Sequence, residues 1–514
     1  MAGGFAGAGD WREATAGFSW EALWTLFDGD RERLNIAHEC VDRHAGRGVA
    51  LRLAGADGRH EEHAFDDLAA WSSRFANFLE AEGIAPGERV AIMLDPSLAF
   101  YGAFFGALKR GAVAVPLFTL FGEDGLALRL DDCRPRLLLV ERDAARWQAR
   151  FPGVHILAAD AALEGRLARE RAAYAPRTAA DDLAVLQYTS GTTRLLPEAV
   201  RHTHRAVVTL MVAALYGLGL RPGDRYFCPS SPAWGHGLWH GTIAPLALGI
   251  PVGAYAGRFD PHRLLAALEA FAVTNVAAAV TVYRMLRGSG LAERSAWRPR
   301  KLSYTGEAMD SATFAWIERV WGLRPCGIYG TTEVGVIVVN FPGFDGHAVR
   351  PDALGRPAPG WEIAVLDEAG RPLPPRQPGE IAVRRREGWF RVKDRGWLDA
   401  DGYLHHAGRS DDAIISAGFT FSPVEIEDTL LKHPRVREAA VVGVPDPTRG
   451  QVPKAFVVAE APGADLEREL QAFVRERLGR HEYPRRIEFV DELPKTPAGK
   501  VDRRTLRERG GPAG

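Results

Sequence analysis

The sequence predicts an α/β protein. It reads as a large N-terminal body of parallel α/β subdomains with a small β-barrel-like lobe, followed by a small mobile α+β C-terminal domain. Three observations predict this. Short continuous apolar runs alternate with helical patterns from about residue 64 to residue 305. Pro and Gly become dense after about residue 345, among short alternating strands. The last hundred or so residues form a separate α+β pattern. Continuous apolar strands alternating with helices indicate parallel sheets covered on both faces.

In chain order, Leu68, Trp71, Phe75, Phe78 and Leu79 recur at helical spacing after a possible cap at Asp66, and Gly83 and Pro86 mark the end. Residues 90–94 form a buried strand, and a second apolar helix runs from about Leu98 to Lys109 and stops at Gly111. Further buried strands are predicted at 113–117, 137–140, 184–188, 275–280 and 301–305. Beyond 345, GlyArgProAlaProGly (355–360) and ProLeuProProArgGlnProGly (372–379) punctuate an antiparallel or barrel-like lobe. The tail carries helices near 423–433 and 466–478 and strands near 438–444 and 454–459. A boundary near Arg409 divides the chain into residues 1–408 and 409–514.

Composition agrees with a large multi-lobed body plus at least one smaller domain. The chain has 514 residues, 46% of them hydrophobic, too many for one typical domain. With 64 basic against 65 acidic residues the net charge is -1, which argues against bulk nucleic-acid binding. The four cysteines (Cys40, Cys133, Cys228, Cys326) show neither metal-ligand nor disulfide-framework spacing. Scattered thiols of this kind fit a cytoplasmic protein. The first residues, MAGGFAGAGDW, do not read as a signal peptide, and no apolar stretch reaches the length of a membrane span.

The sharpest local feature is Tyr188-Thr189-Ser190-Gly191-Thr192-Thr193, directly after a predicted strand. Backbone N–H groups and hydroxyls of such a loop can wrap phosphates, and Gly permits close approach. The same residues also suit an ordinary Ser/Thr turn. Other motifs follow in order. They are Tyr329-Gly330-Thr331-Thr332-Glu333, then Phe390 to Asp394 with Gly396, and Gly408-Arg409-Ser410-Asp411-Asp412 with Gly418. Leu493-Pro494-Lys495-Thr496-Pro497-Ala498-Gly499-Lys500 is the last. Together they resemble the adenylate-forming superfamily, which includes acyl-CoA synthetases, luciferases and peptide-synthetase adenylation domains. The segment Leu34-Asn35-Ile36-Ala37 through Val41-Asp42-Arg43-His44 resembles acetyl- and medium-chain acyl-CoA synthetases in particular. The resemblance covers essentially the whole chain.

The resemblance implies an enzyme that joins a carboxylic acid to ATP as an acyl-adenylate and passes the acyl group to CoA. Its implied cofactors and co-substrates are ATP, Mg²⁺ and CoA. Glu333 would coordinate the Mg²⁺, since a hard cation suits a carboxylate, and Thr332 would place a hydroxyl near the phosphates. Tyr329 would flank the adenine beside Gly306 and Glu307. Asp394, acceptor-only when ionised, would take both ribose hydroxyls. Arg409 would contact ribose or phosphate, Asp411 would be the hinge, and Gly418 would lie beside the entering thiol. Lys500 would supply a cation to the phosphoryl oxygens during adenylation. Two other readings stay open: loading of a carrier-protein phosphopantetheine, and a nucleotide-binding relative without turnover. The expected partners are small molecules, with no nucleic acid or membrane, and the expected assembly is a monomer or weak homodimer.

The chain departs from the family at its phosphate loop. Relatives continue with Gly-x-Pro-Lys-Gly, whereas here Arg194 replaces the Gly, one residue is gained, and Glu198 stands where Lys is usual. A Glu repels phosphate, so either Arg194 or Arg201 supplies the charge or pyrophosphate is held more weakly. Thr420 lies near a position where acetyl-CoA synthetases often carry Arg. For the acid, Ser231 to Trp239 matches the acyl-pocket segment of relatives. Trp234 is a candidate depth limit, His236 a candidate polar contact, and Gly237 a pocket residue. Small side chains at 277–280, Ala278 among them, would leave room for a medium-chain or aromatic acid.

Overall fold

In the computed structural model the described residues are 9–188, 199–306, 309, 311–331, 334–409, 414–416, 419–421, 423–479, 482–494, 501 and 503–510. Contacts divide the chain into two units. The first comprises 1–119, 135–187 and 200–408, and the second comprises 120–134, 188–199 and 409–514. The last segment of the second unit starts at Arg409. Two earlier segments cluster with it, although the sequence assigns them to the body.

The first unit is built on two parallel-rich sheets. One has seven strands in the order 326–327, 301–305, 275–279, 226–228, 252–255, 49–54 and 60–64. Its pairs are parallel except the hairpin that joins Val49–Ala54 to His60–Ala64. The other has six strands in the order 155–158, 137–140, 89–93, 113–116, 183–188 and 199–203. Their residues are largely buried, as both-face covering by helices requires. The barrel-like lobe consists of a three-stranded and a four-stranded sheet, the latter ordered 363–366, 379–385, 388–398 and 404–409.

Helix limits follow the sequence signals closely. Leu98–Arg110 ends on Gly111, whose φ of 76° is the left-handed conformation a Cβ disfavours. The expected cap at Asp66 is corrected. Helix Phe65–Ala81 starts at Ala64, whose N–H is accepted by Asp67 at 2.9 Å. Asp66 sits in the first turn and accepts from the Gly46 N–H instead. Carboxylates in a first turn are favourable in either role.

The segment that resembles acetyl- and medium-chain synthetases is a clamp. Asn35 Oδ1 accepts from the Ala37 and His38 N–H groups, while its Nδ2 donates to the Leu108 carbonyl and Thr178. His204 Nδ1 accepts the Ile36 N–H at 3.1 Å, which ties this segment to the turn that follows the strand Ala199–Thr203. Buried Glu39 accepts from the Asp28 and Gly29 N–H groups and pairs with Arg43.

The second unit carries a five-stranded sheet. Strands 419–421, 414–416, 450–459 and 436–446 lie in that order, and 486–489 runs parallel beside 450–459. Helices Pro423–Leu431 and Ala464–Arg477 pack against it through Ile426, Leu430, Leu466, Leu470 and Val474. The helix Glu123–Cys133 brings a buried cluster into this unit. The Arg129 guanidinium lies over the Phe121 ring and donates to the Gly125 carbonyl at 2.7 Å. It stands 3.9 Å from Glu425 and 3.8 Å from Glu482. Gly122 and Gly125 are needed here, because a Cβ on either would lie within 1.8 and 2.5 Å of the carbonyl oxygens of Glu476 and Leu478. Tyr188, the residue before the hydroxyl-rich loop, donates its hydroxyl proton to Asp132 at 2.6 Å.

Burial pushes the Glu482 carboxyl up to about 7; Arg129 pulls it down and Glu425 pushes it further up. A raised acid binds its proton more tightly when folded. Its contribution to stability is therefore complete below the ordinary carboxyl range and lost as pH rises through 7. Glu482→Gln should remove that loss, worth on the order of 1–3 kcal/mol. Thermal denaturation of both proteins from pH 5 to 8 checks it: the two Tm curves should converge at low pH, draw apart as pH rises toward 7, and stay apart above it. Parallel curves would refute the assignment.

Each cysteine is buried and free of disulfide bonding. Among the described residues no helix is long and apolar enough to cross a membrane.

Candidate active site

Several of the motif residues come together in the first unit. The strand Tyr329–Thr331 forms a hairpin with Gly335–Val339, with a register shift between Tyr329 and Gly330. A Cβ on Gly330 would lie 1.8 Å from the Gly335 carbonyl, so the turn itself demands this glycine. The Tyr329 hydroxyl donates to Asp394 Oδ2 at 2.7 Å, and His406 Nε2 stands 4.0 Å from the same oxygen. Asp394 is 5% exposed and lies on the long strand Gly388–Leu398. Two residues that the sequence ties separately to adenine and ribose are thus in direct contact.

Thr331 Oγ1 is buried with no hydrogen-bond partner. Gly306 follows the strand Lys301–Thr305 with φ of 94°, a conformation that favours glycine. An acceptor-only carboxylate, a phenol and an unengaged hydroxyl fit a nucleotide's sugar and base. The strand positions of Arg409 are also described, at the end of Leu404–Arg409. Thr189, Ser190, Gly191, Thr192, Thr193, Arg194, Glu198, Glu307, Thr332, Glu333, Asp411, Gly418 and Lys500 lie outside the described residues. No group of three or more His, Cys, Asp or Glu among the described residues is arranged to hold a metal, so the Mg²⁺ expectation rests on Glu333.

The acyl-pocket segment takes an unusual local form. His236–Ile243 is a π-helix, continued by the α-helix Ala244–Ala247. Such turns are rare and are often found at functional sites. Gly237 is required by packing: a Cβ would lie 2.1 Å from the Ser231 carbonyl and 2.5 Å from that of Ser230. The π-helix sets His236 and His240 side by side, Nδ1 to Nδ1 at 3.2 Å, and the Trp234 and His236 rings meet at 5.4 Å. The Trp239 indole N–H donates to Gln187 Oε1 at 2.9 Å, and the Trp239 ring packs on His202 at 4.6 Å.

The small residues at 277 and 278 divide between two clusters. Ala278 packs into a cluster with Phe227, Leu264 and Tyr283, whereas Ala277 joins the cluster that holds Trp239 and Leu238, as successive strand residues facing opposite ways require. Gln187, His202 and His240 were missed from the sequence as site residues. Gln187 carried one usable signal, a lone amide in an otherwise apolar buried strand.

Burial holds the three imidazoles neutral. His202 is lowered to about 4 by desolvation alone, and His240 likewise. His236 is lowered to about 3 by burial and by His240, with the Ala277 backbone acting weakly in the opposite sense.

Comparison with known proteins adds to this geometry. The model of the AMP-binding enzyme family matches residues 38–391, and that of the AMP-binding enzyme C-terminal domain matches residues 425–500. The chain is 32% identical to acetyl-coenzyme A synthetase of Bacillus subtilis, over 97% of this chain and 94% of that protein. Its fold is similar to that of an acyl-CoA synthetase of Brucella canis, with a TM-score of 0.74, 32% identity, and 98% and 99% of the two chains covered. It is also similar to the amide bond synthetase McbA of Marinactinospora thermotolerans, with a TM-score of 0.80, 28% identity, and 93% and 100% covered.

Proposed function

Because the chain belongs to the AMP-binding enzyme family and is an AMP-forming ligase of the acyl-CoA synthetase type, we propose that it activates a medium-chain or aromatic carboxylic acid for transfer to CoA. In the first half-reaction a carboxylate oxygen of the acid bonds to the α-phosphorus of ATP and pyrophosphate leaves. In the second the CoA thiolate bonds to the acyl carbon and AMP leaves. The observation that carries the reading is the buried Tyr329–Asp394 pair at 2.7 Å. It brings two nucleotide motifs 65 residues apart to one place.

Asp394 holds the ribose hydroxyls in this reading, and Tyr329 both orients that carboxylate and flanks the base. Thr331, with its unengaged hydroxyl, directly precedes Thr332 and Glu333 in the chain. Mg²⁺, held by Glu333, would neutralise phosphate charge when bound. Residues 1–408 carry the ATP and acid sites, and 409–514 form the mobile domain that brings Lys500 for adenylation and Gly418 for thiol entry. The protein works as a monomer or weak homodimer in the cytoplasm, a setting that free buried cysteines fit.

ATP–pyrophosphate exchange over a panel of aliphatic and aromatic acids tests the first half, and CoA-dependent AMP release tests the second. Exchange without CoA-dependent release, but with release on adding a holo-carrier protein or an amine, would move the acceptor away from CoA. No exchange with any acid would sink the reading. Asp394→Ala should raise the KM for ATP by about ten- to a hundredfold, the worth of one charge-assisted hydrogen-bond set. Initial rates against ATP concentration check it, and an unchanged KM would remove Asp394 from the ribose site.

A further inference from the structure

The acid site contains more polar groups than a simple aliphatic or aryl acid can use. Gln187 is fully buried and His236 is 3% exposed. Gln187 Nε2, His202 Nε2 and His236 Nε2 are each buried without a hydrogen-bond partner. Gln187, Trp239 and His202 touch in series, and His236 stands beside Trp234 and His240 in the adjoining segment. The Trp239 indole N–H takes Gln187 Oε1, which fixes the amide and leaves its NH₂ as the free end. Gly235 lies against that amide: a Cβ there would stand 3.4 Å from Oε1 and 4.0 Å from Nε2. The next residue is His236, and His202 packs on the other contact partner of Gln187, Trp239. Ser303, paired with Ala277 across the sheet and on the same face, adds a buried hydroxyl oxygen without a partner.

Leaving a buried donor unsatisfied costs about 1–3 kcal/mol. A cluster of such groups in one place is explained by a ligand that supplies the missing oxygen. Within the cluster the imidazoles are neutral, and neither Gln187 nor the tryptophans carry charge. A second carboxylate would find no counter-charge among them, and an ammonium group would find no anion.

We infer that this cluster reads a neutral oxygen substituent, a hydroxyl or oxo group, carried by the acid away from its reacting carboxylate. Gln187 is the donor and His236 the specificity-determining partner. His236 can donate or accept at Nε2, since a neutral imidazole carries its proton on either nitrogen. The inference rests on the acyl-site reading above and narrows its substrate class.

The test compares matched acids on the full-length enzyme. Pentanoic, 5-hydroxypentanoic and glutaric acids form one set, and benzoic with 3- and 4-hydroxybenzoic acids form the other. In CoA-dependent AMP release, at least one hydroxylated acid should exceed its unsubstituted counterpart by about tenfold or more in kcat/KM, and glutaric acid should be the poorest of its set. In Gln187→Leu that preference should fall toward one. His236→Phe is the second variant, expected to act in the same direction should Gln187→Leu not fold. Equal or better use of the unsubstituted acids by the wild type overturns the inference and leaves the acyl-CoA synthetase reading standing. A water filling the cluster would give that result. Failure of ATP–pyrophosphate exchange with every acid is the separate outcome that sinks the earlier reading. Calorimetric binding of the same acid pairs then decides the substituent preference without turnover, and no difference between partners of a pair overturns it.

Discussion

Replacing Lys500 with alanine should abolish acyl-adenylate formation while sparing thioester formation from supplied acyl-adenylate. A positioned cation opposite developing phosphoryl charge is worth at least about 10²–10³ in rate. The neighbouring cation Arg503 is already engaged. It is held by Glu427 at 2.6 and 2.9 Å and by the Val441 carbonyl at 2.8 Å. The two ends of the segment that carries Lys500 are anchored in the same apolar cluster, through Leu493 before it and Leu506 after it, both almost wholly buried. ATP–pyrophosphate exchange measures the first half and acyl-CoA release from synthetic acyl-adenylate the second. If both rates survive the substitution, Lys500 has no part in the chemistry.

The reciprocal effect is expected at Gly418. Strands Ile414–Ser416 and Phe419–Phe421 pair antiparallel with Ser416 opposite Phe419, and Gly418 falls between them in sequence. In the proposed second half-reaction the pantetheine arm passes this connection, and a leucine side chain would stand in its way. Gly418→Leu should leave pyrophosphate exchange near the wild-type rate and lower CoA-dependent AMP release by about a hundredfold, the usual cost of misplacing a reactant by an ångström. Equal loss of both rates would take Gly418 out of the thiol path. Lys500→Ala and Gly418→Leu together would separate the two half-reactions from opposite sides.

Much of the architecture was legible because local signals and tertiary structure agree. Gly111 stops a helix since only a left-handed residue fits there, and the sequence shows that glycine directly. The motif glycine Gly330 is explained by a carbonyl 1.8 Å from where its Cβ would be. The misreadings have equally physical causes. Ala277 and Ala278 lie on a strand buried on both faces, where no polar–apolar alternation reveals which core cluster each joins. The π-helix at 236–243 has no sequence period of its own that separates it from an α-helix. Gln187 is given meaning by Trp239, 52 residues further on, and no local pattern announces that contact. Asp66 and Asp67 are equivalent as sequence, and only the direction of the incoming chain decides which reaches the Ala64 N–H.

The discontinuous second unit bears on how this protein can be recombined with its relatives. Exchange of C-terminal parts between such enzymes is naturally planned as a single crossover near residue 408. Here residues 120–134 and 188–199 share the contacts of 409–514. A foreign tail spliced at 408 would meet Gly122 and Gly125 shaped to the backbone at 476–478, and an arginine matched to carboxylates at 425 and 482. Transplants should carry all three stretches from one parent, or at least preserve those two glycines and the Arg129–Glu425–Glu482 set. A grafted tail chosen by its own stability alone would inherit an orphaned guanidinium under its helices.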